Sequence, residues 1–425
     1  MKKRMVAVLL VALLGLSGCA ADTGEAAGSV YWLNFKPEAD AALQQLARDY
    51  TDLTGVKVKV STAAQGQYES TLTAEMDKSS APTLFVVGNA AAVKTWGDYC
   101  YNLRDTPVYQ ELLTDDYTLY DEGGKVCSIG YAYECFGIIV NKTLLERAGH
   151  QVSEIRDFES LRRVAEDIHA RAEQLGFDAF TSSALDSSSN WRFSGHLANM
   201  PLFYEARDKG GWTAAPARIE GTYLDNFKAV WDLYINNSAA DPRTLATPGY
   251  DAQSEFGRYK AVFYQNGSWE YPALVNNYGM KPEELTMIPI YCGVPGEEKA
   301  GLCNGTENCW AVNANASQQD IQATLDFMYW MVTSPQGTKL MAEQFGPIPY
   351  KKAAKTDNPF LNAAADYLSR GNYNVTWTFS YTPNVDDWRA GLVSALTQYS
   401  SGGDWKNVQT AFVSGWATQY QAANS

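Results

Sequence analysis

Histidine is scarce in this chain of 425 residues: His150, His169 and His196 are the only three, and they stand far apart in sequence. That spacing argues against a metal site built from imidazoles. No G-x-G occurs, nor a Walker A loop, H-E-x-x-H, C-x-x-C or G-x-S-x-G. The usual signatures of dinucleotide, phosphate, zinc and serine chemistry are therefore missing, and no cofactor is expected. Basic residues are outnumbered, 34 Lys and Arg against 48 Asp and Glu, leaving a net charge of −14 with no basic stripe. Such a surface repels phosphate backbones, which argues against nucleic acid as a partner. Beyond the N-terminus no apolar run approaches the roughly 20 residues that span a bilayer. Aromatic side chains, by contrast, are plentiful: 12 Trp, 26 Tyr and 16 Phe, many beside Gly, Asn and Asp rather than inside apolar runs. Length and a hydrophobic fraction of 46% suit one large or two medium domains with a real core, and disorder is excluded.

The N-terminus reads Met-Lys-Lys-Arg, then an apolar stretch from Met5 to Leu16, then Ser17-Gly18-Cys19. A basic start, a short apolar region and small residues before a cut form a secretory signal over residues 1–18. Leu16-Ser17-Gly18-Cys19 resembles the bacterial lipobox, which implies lipidation at Cys19 and an anchor on the outer face of the cell membrane. Burial of acyl chains contributes roughly 0.8 kcal/mol per CH₂, so a multiply acylated Cys19 would hold firmly. Residues 19–28 then read as a tether. Six further cysteines fall in two groups, Cys100, Cys127 and Cys135, then Cys292, Cys303 and Cys309. An even number in an exported chain allows disulfides, but the pairing stays open, as does the plain reading of small buried hydrophobes.

Periodicity predicts a strand at 29–33, a helix over 38–53 stopped by Gly55, a strand at 56–60, a helix striped by Tyr68, Leu72 and Met76, and a strand at 83–87. This βαβ pattern implies a parallel sheet, with ligands outside the carboxyl ends of its strands. A second unit is expected from a strand at 137–140, helices over 142–148 and 158–175, a strand near 177–181, a polar loop at 182–191, a helix marked by Leu224 to Tyr234 and a strand at 261–264. Residues 285–313 read as a hairpin-like segment. Ser317 with Asp320 opens a helix in the capping-box sense, carried by Ile321, Leu325, Met328 and Val332; a shorter helix over 335–345 is closed by Gly346 and Pro347, and two C-terminal helices carry Leu392 and Phe412. No linker separates two sequential domains, which fits lobes that share the chain discontinuously.

The order of features resembles that of the extracellular solute-binding proteins of carbohydrate ABC importers, relatives of the maltose-binding protein. Residues 125–145 (KVCSIGYAYECFGIIVNKTLL) look like the segment where the chain first crosses between lobes. Asn266-Gly267-Ser268-Trp269 is similar to the family's N-G-x-W, whose Trp stacks on a sugar. Ala311-Val312-Asn313 with Ser317, and then Thr333-Ser334-Pro335-Gln336-Gly337, resemble the late strand and paired helices. The resemblance implies an α/β fold, periplasmic-binding-protein-like of type II, with two lobes that each carry a mainly parallel sheet flanked by helices. Lobe one would take 29–134 and 309–360, and lobe two 138–302 and 365–425. Crossings are expected near 134–138, 301–309 and 355–368. It further implies a monomer that binds a mono- or oligosaccharide, delivers it to a permease and catalyses nothing.

A sugar offers apolar C–H faces ringed by hydroxyls, so its site needs aromatic platforms beside amides and carboxylates. Trp269 with Glu270, at a strand's end, is the leading candidate pair. Asp186 and Trp191 sit in a polar loop; Phe35, Lys36 and Glu38 follow the first strand; Gln65 and Asn89 end the second and third. Tyr133 and Glu134 flank the first crossing, Glu307 and Asn308 the second, and Trp388 heads a late helix whose stripe also suits a core. The rival reading is a surface glycoside hydrolase or polysaccharide lyase, with carboxylates drawn from Asp186, Glu134, Glu270 and Glu307. Hydrolysis would need two of them about 5 to 10 Å apart.

Overall fold

Short continuous apolar runs, buried on both faces, dictate where the chain forms most of its strands. In the computed structural model, which describes residues 28–64, 67–115, 117–346 and 350–425, they assemble two separate six-stranded sheets. The first holds β1 (Val30–Asn34), β2 (Val58–Thr62), β3 (Leu84–Val86), β4 (Thr118–Tyr120), β5 (Val126–Gly130) and, from far along the chain, β11 (Cys309–Val312), in the order β2-β1-β3-β11-β5-β4. The second holds β6 (Glu134–Asn141), β7 (Asp178–Phe180), β8 (Ala261–Gly267), β9 (Leu285–Ile288), β10 (Ala300–Gly305) and β12 (Tyr373–Thr376), in the order β12-β10-β6-β8-β7 with β9 also on β6.

The opening βαβ reading holds: β1 pairs in parallel with β2 and β3. Gly55 ends the intervening helix Asp40–Thr54 in the left-handed region at φ 76°, its N–H donating to the Thr51 carbonyl. The sheets are nevertheless mixed rather than mainly parallel. β11 enters antiparallel to β3 and β5, and β6 lies antiparallel to β8, β9 and β10. The physical reason is that strands from distant stretches fill the middle of each sheet, with no crossover helix to force a parallel direction. Residues 285–313 are not a hairpin either, since β10 and β11 belong to different sheets.

Three passages join the sheets. The first runs from β5 to β6 and the second from β10 to β11. They lie side by side, the Tyr131 N–H donating to the Asn308 carbonyl at 2.8 Å. The third lies between Tyr350 and Pro359. Tyr350 still pairs with Leu112, but the helix Pro359–Ser369 already packs on the second sheet, with Phe360 and Leu361 among Ile139, Tyr264, Met287 and Leu302.

Each sheet is filled by its own core. In the first, Trp32, Tyr131 and Trp310 form a buried aromatic knot, Tyr131 stacked on Trp310 at 4.7 Å and Trp32 edge-on to both. Such ring pairs contribute about 0.5–1.5 kcal/mol each beyond burial. In the second, Trp231 of the helix Leu224–Asn236 lies edge-on to Phe193 at 5.0 Å, in a core that also holds Phe263 and Leu161 and Ile168 of the helix Phe158–Ala170. Two late helices, Val385–Ser400 and Trp405–Ala423, close that lobe, with Trp388 edge-on to Phe412 and Trp416.

Candidate functional site

Where the strand ends of both sheets face the twin crossings, they enclose a cleft of about 720 Å³. Glycine is what lets the second crossing come so close to β3: a Cβ on Gly88 would stand 2.3 Å from the Glu307 carbonyl oxygen. The first lobe lines the cleft with Phe35, Lys36 and Glu38 after β1, with Glu69, and with Asn89 after β3. Glu134 and Glu307 rise from the crossings. The second lobe adds Trp191, Arg192 and His196, Trp269 and Glu270, Trp377 and Phe379, and Arg389. A larger hollow of about 1110 Å³ lies elsewhere, around Tyr31, Lys59 and Asp320. It is bordered by the first lobe alone, so the interlobe cleft is the better candidate: there aromatic faces and charged groups converge from both lobes.

Lys36 is the most heavily engaged side chain. Its buried ammonium lies 2.7 Å from Glu134 Oε1 and 3.6 Å from Glu38, and 5.0 Å from the Trp269 ring centroid. Burial alone would weaken its proton, but Glu134 and Glu38 outweigh that cost and hold the ammonium above its ordinary value. Asn308 Nδ2 donates to the other Glu134 oxygen at 2.7 Å, so both oxygens of that buried carboxylate are satisfied. Asn89 accepts from the Ala92 N–H, capping the helix Ala90–Trp96 at the cleft edge.

Glu270 is different. Burial pushes its carboxyl up to about 7, against a smaller downward pull from Gln253, whose Nε2 donates to it at 2.9 Å. Burial also raises Glu307, opposed by Arg389, Lys36 and a hydrogen bond from Asn89. His196 sits in one turn of π-helix, Arg192–Leu197, its ring stacked on Phe136 at 4.0 Å and angled toward Trp191 and Trp269. Burial, then Arg389, Arg192 and Lys36, hold that imidazole well below its ordinary value, and its buried Nδ1 has no hydrogen-bond partner among the described residues. Arg192 donates to the Gln265 and Ser182 carbonyls and to Ser189 Oγ, a fixed fork beside Tyr264.

Of the residues expected from sequence, Trp269, Glu270, Trp191, Phe35, Lys36, Glu38, Asn89, Glu134 and Glu307 lie on the cleft wall. Gln65 lies outside the described residues. Four others lie off that wall. Asp186 turns back to the Ser188 N–H and hydroxyl and serves its own loop. Asn308 is fully buried and acts on Glu134 rather than on the cleft. Tyr133 packs edge-on against Tyr117 and is not among the residues lining the cleft. Trp388 is core, 2% exposed, its indole N–H on the Phe412 carbonyl. Cys19 also falls outside the described residues.

Sequence reasoning missed Arg192, His196, Gln253, Trp377, Phe379 and Arg389. A lone histidine and scattered arginines carry no periodic signal; the Trp377-Thr378-Phe379 run, aromatic yet outside any apolar stretch, is the one cue that could have been read.

Two α/β lobes joined by three passages thus enclose an aromatic-lined cleft. The family model of bacterial extracellular solute-binding proteins matches residues 45–368, and the chain belongs to that family. A search of curated proteins finds no match. Among solved structures the chain is similar to the solute-binding protein RafE in complex with raffinose, at TM-score 0.71 and 18% identity over 93% of this chain and 98% of that one. It is also similar to a chitin oligosaccharide binding protein, at TM-score 0.69 and 16% identity over 93% and 99%. A sugar transporter from Bacillus licheniformis in complex with stachyose follows, at TM-score 0.64 and 17% identity over 92% and 99%. At these identities the likeness is one of fold. The family binds solutes rather than transforming them.

Proposed function

We propose that this chain is the binding component of a bacterial carbohydrate ABC importer. It takes a mono- or oligosaccharide between its lobes and delivers it to permease subunits, working as a monomer held by lipidated Cys19 on the outer face of the cell membrane. The observation that carries the reading is the pairing within one cleft of aromatic faces with a ring of Lys, Arg, Glu and amide groups. Micromolar affinity corresponds to about −8 kcal/mol, which a few platforms and charge-assisted hydrogen bonds supply. Closure follows because a sugar seated on one lobe gains contacts from the other only in the closed state. The raffinose, chitin-oligosaccharide and stachyose ligands of similar structures support the same class. A thermal-shift panel over such saccharides, with product analysis on every sample, tests it. A stabilised, unchanged saccharide is expected; hydrolysis or lyase products, abolished by a single carboxylate variant, would overturn it.

A further inference from the structure

Six buried cysteines play no part in the cleft, and they differ in company. Cys135 lies against Met287 Sδ and the Phe360 carbonyl, Cys292 against the Ile290 carbonyl, Cys303 against Met200 Sδ and Cys309 against the Tyr117 carbonyl. The Cys100 thiol lies 3.3 Å from the Trp96 carbonyl, and Cys100 and Cys127 are the one pair of thiols within reach of one another among the described residues. The backbone explains why. Past the start of β5, residues 100–103 continue the sheet beside β11: Cys100 bridges Asn313, and the Tyr101 N–H donates to the Val312 carbonyl at 2.8 Å. The same segment is tied to the start of β5, the Leu103 N–H donating to the Val126 carbonyl at 3.1 Å and the Val126 N–H to Asn102 Oδ1 at 3.3 Å. Cys100 is thereby held beside Cys127, at the end of the first sheet remote from the crossings.

We propose that Cys100 and Cys127 join as a disulfide when the chain folds in the oxidising environment in which extracellular proteins mature. The oxidant is a low-molecular-weight disulfide such as oxidised glutathione. One cysteine thiolate attacks it, the small disulfide's S–S bond breaks, and a mixed disulfide forms with release of one glutathione. The second cysteine then attacks the protein sulphur of that mixed disulfide and releases the second glutathione. Two protein thiols are oxidised, one glutathione disulfide is reduced to two thiols, and the two cysteine protons end on them. Burial pushes both thiols up and leaves little thiolate, so the exchange belongs to the folding chain and the finished bridge resists reductant. The bridge closes a loop around β4 and staples the back of the first lobe.

The test is made on the full chain exported by a bacterial host, denatured in N-ethylmaleimide without reductant and digested with trypsin. The expected product links Thr95–Arg104, which contains Cys100, to Val126–Lys142. That second peptide also holds Cys135, so the link should vanish in Cys127→Ser and persist in Cys135→Ser. A reductant that reaches the bridge should lower the melting temperature by roughly 5 °C while saccharide affinity of the folded protein is unchanged. Quantitative N-ethylmaleimide labelling of both Cys100 and Cys127 overturns the proposal, as does a link that survives Cys127→Ser. Neither result touches the proposed ligand class, because the bridge lies away from the cleft.

Discussion

The two walls of the cleft are built from different chemistry. The first lobe presents mainly polar groups, Lys36, Glu38, Glu69 and Asn89, with Phe35 as its forward aromatic and Lys36 clamped to Glu134. The second presents a continuous aromatic surface. Trp191 and Trp269 lie 6.0 Å apart, His196 lies 5.3 Å from Trp269, and Trp377 and Phe379 lie 5.7 Å apart at 29°. On the proposed reading the second wall would match a sugar's apolar faces, and the first, with Glu270, Arg192 and Arg389 of the second, would match its hydroxyls. On that reading the contrast assigns seating mainly to the second lobe, through burial and stacking, and closing mainly to the first, through hydrogen bonding.

The largest effect expected is on the polar wall itself. Lys36→Met leaves the Glu134 carboxylate buried with Asn308 as its remaining partner, and breaking a buried pair in this way costs about 3–5 kcal/mol. Chemical denaturation at neutral pH should show that loss, and the double variant Lys36→Met/Glu134→Gln should regain most of it. If the single variant is as stable as wild type, the pair is not what secures the first wall.

Next comes the pH dependence of Glu270 beside the aromatic wall. Its carboxyl ionises near 7 when folded against 4.5 ordinarily, so between these values the folded state holds the extra proton. Stability from this group is therefore complete below about pH 4.5 and is lost as pH rises through 7, by up to about 3 kcal/mol. Glu270→Gln should remove that slope, raising the melting temperature at pH 8 relative to wild type and much less at pH 5. Parallel profiles for the two proteins would contradict the buried-carboxyl account.

A smaller change sharpens the comparison from the backbone. A Cβ on Gly267 would come within 2.1 Å of the Trp269 ring, so Gly267→Ala must swing the indole from its present seat. Affinity for the best saccharide of the panel should fall about tenfold, or 1.4 kcal/mol, by calorimetry. An unchanged affinity would mean that the orientation of the platform is immaterial.

Local pattern made much of this legible. The helix Asp40–Thr54, its Gly55 stop, the Ser317 cap with its N-terminal Asp320 and the helix Pro335–Phe345 all follow from periodicity and capping chemistry, which act over a few residues. The insertion of β11 between β3 and β5 did not, because pairing across more than 170 residues leaves no trace in spacing. The same division runs through the site. Trp269, Lys36 and Glu134 could be named because they stand at strand ends or crossings. Trp388 was misplaced because a tryptophan on a helix looks the same in sequence whether its face meets a cleft or Phe412. His196 and Arg192 were invisible because a π-helical turn, not a repeat, carries them to the wall.

Calorimetry on wild type, Trp269→Ala and Phe35→Ala, with the saccharide that gives the largest thermal shift, tests the division of labour most directly. Trp269→Ala loses burial and stacking on the aromatic wall, so affinity should fall by about 2–4 kcal/mol, roughly 30- to 1,000-fold, with the melting temperature nearly unchanged. Phe35→Ala should cost less than about tenfold. If instead Phe35→Ala is the more damaging, or Trp269→Ala unfolds the protein while the surviving fraction binds as wild type, the second wall is not the seat of the ligand.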